Sequence, residues 1–513
     1  MDRNPLSVHP LPVVIVLISL ILVARADLAL AASVSISPAI GPPTTKATTS
    51  GSGFTAAETV NLVFDSSAAG SGTADGTGSF NLVLVVPKSA QPGAHTVKAT
   101  GQTSGLVASV TFTVQTNWRA FKNLSSRIGV NSFENTINSS NAKFLVLAWQ
   151  GLMGDLVDFS SPAVVNGVAY IGSFDGKLYV FNANGCAPQI ECNPLWTGTT
   201  GNGIYSSPAV AKGVVYVGSS DHNLYAFNAA GCGSASCSPL WIGSTGGAIL
   251  ESSPLVADAV VYIGSYDNKL YAFAAAGCGH SSCAPSWTAA TGNHITSSPA
   301  TANGVIYVGS NDGKLYAFAA AGCGASTCSP LWTGPTGSSI YESSPAVSNG
   351  VVYIGSFDKK LYAFNASGCG QSTCSPLWSG LTSDFIDSSP SVANGVVYVG
   401  SNNLLYAFNA NGCGGSACSP LWLGQADGQQ GAIVSAPAIA NGLVYVSENN
   451  GMVMVFNAHG CGKSLCLPLT QLLTNNEPIV SSSPAVVNGT VYVGSANQLS
   501  VPVGRLYVFK RSR

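Results

Sequence analysis

The chain has 513 residues, of which 46% are hydrophobic and 8% charged, against roughly 25% charged in an average soluble protein. Its polar surface must therefore come from Ser, Thr, Asn and glycine turns. With 20 Lys+Arg against 22 Asp+Glu, there is no basic field to gather nucleic acid. The length exceeds one ordinary domain, although a repeat array can grow past that limit.

The N-terminus reads as an export signal over residues 1–31. Arg3 sits in a short polar start, Leu11 to Ala24 is apolar, and Ala29-Leu30-Ala31 is a small-x-small cleavage site, with Ala24-Arg25-Ala26 a second candidate. The apolar run falls short of the ~18–20 residues of a membrane span, so no span is expected after cleavage. An uncleaved anchor over Leu11 to Ala32 is the competing reading. No cysteine precedes Cys186, which excludes lipid attachment at a processed N-terminal cysteine.

Residues 33–115 alternate apolar runs, such as Val60 to Phe64, Phe80 to Val85, His95 to Ala99 and Val107 to Val114, with Gly, Ser and Pro turns. About seven short strands predict a small β-sandwich. Gly51-Ser52-Gly53-Phe54 and Pro92-Gly93-Ala94-His95-Thr96-Val97 resemble bacterial immunoglobulin-like modules. A lead-in segment, 116–144, follows.

From 145 to 513 one phrase recurs, Ser-Ser-Pro or a near variant, with its proline at 162, 208, 254, 299, 345, 390, 437 and 484. A period of 45–47 residues marks a stacked or circular array. In one unit, Ser343 to Val347, Val351 to Ser356 and Leu361 to Asn365 are strands. Ser348-Asn349-Gly350 and Asp358-Lys359-Lys360 are turns. Pro376-Leu377-Trp378 begins a fourth strand. Four short antiparallel strands per repeat are the signature of a propeller blade. The fourth-strand aromatic is Trp149, Trp196, Trp241, Trp287, Trp332, Trp378 and Trp422, with Thr470 in the last place. Trp149 precedes the first repeat and nothing equivalent follows the eighth. The last blade should therefore borrow Leu145 to Gln150, beside Leu506 to Phe509, closing an eight-bladed ring without edges.

All 14 cysteines form local pairs: Cys186/Cys192, Cys232/Cys237, Cys278/Cys283, Cys323/Cys328, Cys369/Cys374, Cys413/Cys418 and Cys461/Cys466. A zinc site needs four ligands and no histidine recurs nearby, so an exported chain makes these disulfides, one per self-contained blade. The last blade has no hairpin to staple.

Asp175 to Phe181 and Asp312 to Phe318 resemble the repeats of quinoprotein-type propellers. Trp118, Phe121, Gly129, Asn131, Glu134 and Asn141 are similar to the N-terminal approach in that superfamily. The resemblance implies a propeller over about 118–513. It extends both to pyrroloquinoline quinone (PQQ) dehydrogenases and to non-enzymatic scaffolds such as the outer-membrane assembly propeller. This chain lacks the adjacent Cys-Cys that covers the quinone, and lacks insertions between repeats. A cysteine loop replaces the Thr-Gly turn before the tryptophan. No calcium ligand or catalytic aspartate carries over.

Near-identical repeats make near-identical environments, so function is expected where the repeat breaks. By the same resemblance, the residue before each Ser-Ser-Pro stands at the channel mouth: Phe159, Tyr205, Glu251, Thr296, Glu342, Asp387, Val434 and Ser481. Tyr205, Glu251, Thr296, Glu342 and Asp387 form the candidate ligand site, whose carboxylates suit a cation or a polyhydroxylated ligand. The alternative is a wet funnel that tolerates unused acids. Asp175, Asp221, Asp267, Asp312 and Asp358 fit ordinary turn chemistry. The six histidines share no metal spacing, and no nucleophile elbow is present. Met452 and Met454 depart from the Leu-Tyr-Ala pattern and are expected to fill core. The expectation is a secreted or surface-exposed all-β monomer without cofactor, binding protein or carbohydrate. The alternatives are a PQQ-dependent dehydrogenase with Ca²⁺, or a hydrolase or lyase acting on polysaccharide.

Overall fold

The computed structural model describes residues 31–425, 431–475, 477–497 and 503–512. The export signal and its anchor alternative lie outside the described residues, apart from the end of the cleavage site. Strands dominate, and a 3-10 turn, Ala142–Phe144, is the one helical element among the described residues. No helix there is long and apolar enough to cross a membrane. The chain divides into two compact units. The first holds the described residues up to Ser37 with Ala47–Leu84 and Thr96–Thr111; the second holds Pro38–Lys46, Val85–His95 and Phe112 onward.

In the N-terminal region Ser33–Ser37, Lys46–Ser52 and Phe80–Val85 form one sheet. Thr59–Phe64, Ser67–Thr73, Gly93–Gly101 and Val107–Val114 belong to another. Alternation along Thr59–Phe64 buries Val60, Leu62 and Phe64, which is the period-2 pattern of a half-covered strand. The buried Glu58 carboxylate accepts from the backbone N–H groups of Thr55, Thr103 and Ser104 and from the Ser104 hydroxyl. Those bonds, led by the Ser104 N–H, hold its pKa down at about 2.

The repeat region folds into eight sheets of four antiparallel strands, numbered here by their order in the chain, and in seven of them a short fifth strand adds parallel at one edge. Sheet 5 is representative: an inner strand Ala346–Ser348, then Val351–Ser356, Lys360–Asn365 and an outer strand Trp378–Leu381. Its first turn carries positive φ at Asn349 and Gly350 (49° and 77°), a geometry Asn-Gly adopts readily. Ser343 and Ser344 precede the inner strand, which is three residues long and starts later than the sequence suggests. In sheet 8, Ala485–Val487, Thr490–Asn497 and Val503–Arg511 come from the C-terminus. Leu145–Leu152 completes it, pairing Trp149 with Val508 and Gln150 with Tyr507.

All seven disulfides form as paired in the sequence: Cys186–Cys192, Cys232–Cys237, Cys278–Cys283, Cys323–Cys328, Cys369–Cys374, Cys413–Cys418 and Cys461–Cys466, with Cα–Cα distances of 5.6–5.7 Å. Each disulfide closes the connection between the third and outer strands of one sheet, as expected, and the second cysteine of each loop also serves the preceding sheet. Six of them lie parallel to its outer strand: Cys192 beside Gly151, Cys237 beside Gly198, Cys283 beside Gly243, Cys328 beside Ala289, Cys418 beside Gly380 and Cys466 beside Gly424. The seventh, at the junction of sheets 4 and 5, bonds directly: Thr333 N–H donates to Ser372 O and Cys374 N–H to Thr333 O, both at 2.8 Å. These second cysteines are also core residues and not surface staples. Cys328 is buried in one cluster with Trp287, Cys418 with Trp378 and Cys466 with Trp422, each tryptophan belonging to the preceding outer strand.

The glycine before each first cysteine leaves room for that tryptophan, since a Cβ on Gly231 would stand 2.8 Å from Trp196. A buried tyrosine of the preceding sheet donates to a carbonyl ahead of the loop, as Tyr262 does to Ala320 O at 2.8 Å. The cysteine loops are therefore clasps between neighbouring sheets.

Seven junctions have this clasp, and the one between sheets 7 and 8 does not. There Thr470 replaces the tryptophan, and Leu472 stands where the other outer strands carry Gly or Ala. Tyr445, fully buried, has no partner for its hydroxyl among the described residues. Ile137, Ala142 and Leu145 of the lead-in and the strand it enters join one core cluster with Leu443, Tyr445, Leu472 and Phe509 in place of a loop. Trp, clasp and tyrosine acceptor are lost together because sheet 8 takes its third and outer strands from opposite ends of the repeat region.

Candidate functional site

The Ser-Ser-Pro hydroxyls are spent on structure, except that Ser206 Oγ is buried without a partner among the described residues. The first serine accepts from its own second strand, as Ser343 Oγ does from Gly355 N–H. The second accepts a backbone N–H from the sheet before it: Ser161 N–H to Ser207 Oγ, then Ser207 to Ser253, Ser253 to Ser298, Ser298 to Ser344 and Ser344 to Ser389. Ala436 interrupts the series. Ala436 N–H to Ser483 Oγ and Ser483 N–H to Ser161 Oγ resume it and return it to sheet 1.

The recurrent turn acids are engaged likewise, although one oxygen each of Asp267 and Asp358 has no hydrogen-bond partner among the described residues. Asp175, Asp221, Asp267, Asp312 and Asp358 each accept from a tyrosine hydroxyl four residues on, at 2.6 Å. These hydroxyls in turn accept a glycine N–H of the preceding connection, as Tyr271 does from Gly246 at 2.8 Å. In each Tyr-x-Phe pair the phenylalanine is core: Phe227 is fully buried, against Gly198 of the neighbouring outer strand. Met452 and Met454 are buried in the third strand of sheet 7.

One end of the array's inner face is closed by the lead-in. Backbone N–H groups of Val210, Thr301, Val347, Val392 and Ile439 donate to the carbonyls of Arg119, Ser125, Ser126, Ile128 and Gly129 in turn. Arg127 is fully buried. Its Nε donates to Pro299 O, and one terminal nitrogen donates to Ser253 O and Pro254 O at 3.0 and 2.8 Å. Lys122, also buried, donates to Pro390 O. Burial lowers the pKa of both, bringing Arg127 to about 9. Carbonyl oxygens, not carboxylates, hold these cations. The sequence reading missed both residues, and the available signal was two cations within six positions of an uncharged stretch.

A chamber of about 30 Å³ is lined by Phe121, Phe159, Glu251, Glu342, Asp387, Val434, Ser481 and the inner serines. That volume suits water-sized occupants. The structure thus brings together Glu251, Glu342 and Asp387 of the candidate set. Tyr205 lies beside the chamber, against its lining residue Phe159 (6.0 Å between centroids) and Phe174 (4.2 Å), within reach of the Asp158 and Glu251 charges. Thr296 is buried, its hydroxyl bonded to Tyr341 O and Asn311. Asp158, which the sequence did not single out, joins the acids electrostatically. Among the described residues no three His, Cys, Asp or Glu side chains are grouped to hold a metal ion.

Burial raises all four carboxyl groups. Glu251 rises to about 7, helped by the Asp158 charge, while Asp158 and Asp387 rise to about 6. Glu342 goes well above its ordinary value, through burial and then the charges of Asp387, Glu251 and Asp158. One oxygen each of Asp158, Glu251 and Asp387 is buried without a hydrogen-bond partner among the described residues. Aromatic rings accompany the acids: Tyr266 stacked on His294 (4.8 Å), Phe357 stacked on Phe385 (5.2 Å), and Tyr341 tilted against Phe357 (5.5 Å).

Comparison with known proteins agrees with this architecture. No curated protein matches the chain by sequence. The structure of BamB from Moraxella catarrhalis covers 72% of this chain and 99% of its own, at 16% identity and a TM-score of 0.53. The quinohemoprotein alcohol dehydrogenase of Comamonas testosteroni covers 77% and 81%, at 13% identity and 0.58. The computationally designed Ika8 protein covers 70% and 98%, at 14% and 0.53. At such identities these likenesses carry the fold alone: a β-propeller of quinoprotein-like repeats. The family model described as outer membrane protein assembly factor BamB matches residues 148–321, 195–411 and 284–512, and the chain belongs to that family.

Proposed function

We propose that this chain is an exported, non-enzymatic binding scaffold: an immunoglobulin-like module followed by a propeller whose eight sheets are the blades of one closed ring. The ligand, a protein or carbohydrate, binds at the channel mouth around Glu251, Glu342 and Asp387, with Tyr205 on its rim and Thr296 buried behind it. One observation carries this reading. Most polar groups that recur with the repeat are spent on internal hydrogen bonds, whereas the non-recurring acids Glu251, Glu342 and Asp387 converge on one chamber, with an oxygen each of Glu251 and Asp387 unpartnered among the described residues. Those acids stand beside aromatic rings, a combination that suits sugar hydroxyls or cationic side chains. Seven disulfides favour an oxidising compartment.

The same residues fit PQQ poorly. That cofactor is a flat tricarboxylate, and the chamber is about 30 Å³ with carboxylates on its wall. Neutralising Glu251, Glu342 and Asp387 together should abolish binding to arrayed glycans or basic peptides; unchanged binding discards the mouth as the site. Incubation with PQQ and Ca²⁺ should leave no bound chromophore and no dye-linked alcohol oxidation, and a retained chromophore restores the dehydrogenase reading.

A further inference from the structure

At the unclasped junction one backbone donor of the outer strand is left without a cysteine loop to receive it. In sheets 1 to 6 and in sheet 8 the second residue of the outer strand, or its equivalent, gives its N–H to a cysteine loop, as Thr197 does to Ala235 O, Ser379 to Ser416 O and Leu423 to Ser464 O, each at 2.8 Å. In sheet 7 that residue is Gln471, exposed, and its N–H has no such partner among the described residues. The 3-10 turn Ala142–Phe144 lies against this strand without pairing to it.

The cysteine loop that leads into this strand also breaks the repeat in side-chain chemistry, with its Leu465 beside Leu423 of sheet 6. Leu465 and Leu467 replace the serine, threonine, alanine, asparagine or glutamate found at these positions in the other six cysteine loops. Leu467 is 60% exposed and Leu473, which ends the open strand, 55%; Phe144 and Val146 are exposed as well. Exposed apolar groups beside an open strand edge suit an interaction surface. Basic groups border them. Lys143 lies 5.2 Å from the Phe144 ring, Val146 pairs with Lys510, Leu145 with Arg511, and Ser512 N–H bonds Phe144 O. Glu477, the acid nearest in sequence to the open strand, is paired with Arg505.

We propose that the outer strand Thr470–Leu473 of sheet 7 is a docking edge for an extended segment of a partner protein, apolar in its middle and acidic at its ends. The segment runs parallel to the strand, as the cysteine loops do on theirs, and takes the Gln471 N–H. Leu467 and Leu473 meet its apolar side chains, while Lys143 and Arg511 meet its carboxylates. This edge is separate from the channel mouth, so each reading stands or fails alone.

The test uses the mature chain and a labelled peptide of alternating leucine and threonine with paired aspartates at both ends. In the free protein the Gln471 amide should exchange with solvent far faster than those of Thr333 and Ser379, and the peptide should slow it. Anisotropy should show binding that weakens about ten-fold or more in a Leu467→Ser/Leu473→Ser variant, or when lysines replace the aspartates. Three results overturn the proposal: Gln471 as protected as Thr333 in the free monomer, no slowing by the peptide, or protection that grows only with self-association, which makes a second copy the occupant. Capture by anionic vesicles without Gln471 protection overturns it too.

Discussion

Replacing Tyr445 by Phe should stabilise the propeller or leave it unchanged, whereas Tyr262→Phe should destabilise it. Both side chains are buried, at 0% and 1% exposure, in equivalent strands of sheets 7 and 3. They differ in one atom's surroundings. The Tyr262 hydroxyl donates to Ala320 O at 2.8 Å, and its removal leaves a buried carbonyl unpaired, at a cost of about 1–2 kcal/mol. The Tyr445 hydroxyl has no partner among the described residues, so its removal returns the burial penalty of a lone donor, a gain of up to about 1 kcal/mol. In so large a domain each kcal/mol moves Tm by no more than ~2–4 °C. The sign of the difference is therefore the readout, measured by calorimetry of both variants and wild type at one scan rate. A Tyr445→Phe variant that loses as much stability as Tyr262→Phe would show an acceptor at this junction, and the account of the missing clasp would be wrong.

Other outcomes follow from the same geometry. Cys369→Ser/Cys374→Ser should cost about 2 kcal/mol by loop entropy and should speed amide exchange at Thr333 in the preceding sheet; unaltered Thr333 exchange contradicts the clasp. Arg127→Met should cost about 3 kcal/mol or more, because the carbonyls of Ser253, Pro254 and Pro299 lose their donor in the interior. A change under about 1 kcal/mol in denaturant unfolding refutes the anchoring role. Stability should fall as pH rises from about 4 to about 7. Glu251 has its pKa raised from 4.5 to about 7, and Asp158 and Asp387 from 3.8 to about 6, so the folded state holds more protons than the unfolded chain in that window. The contribution is complete below the unfolded values and is lost through the folded ones. Glu251→Gln should flatten the profile, and an unchanged slope assigns the effect elsewhere.

Eight recurrences of Ser-Ser-Pro, seven tryptophans with Trp149 out of sequence, and paired cysteines already specified the sheets, the pairing of Leu145–Leu152 with the C-terminal strand, and the disulfides. These follow from local chemistry repeated at a fixed period: turn residues, strand alternation and short loops leave few alternative arrangements. The acids at the mouth were legible as breaks in that period. The purpose of the repeated groups was not. Ser207 serves the sheet before its own, and Cys237, Cys328, Cys418 and Cys466 each lie beside a strand of the preceding repeat, contacts that no spacing within one repeat reveals. Arg127 and Lys122 were invisible for a similar reason, since their partners are carbonyls brought together from separate sheets. Sequence determined which groups recur and which do not; only tertiary structure decided which neighbour each one serves, because those bonds join residues about one full repeat or more apart.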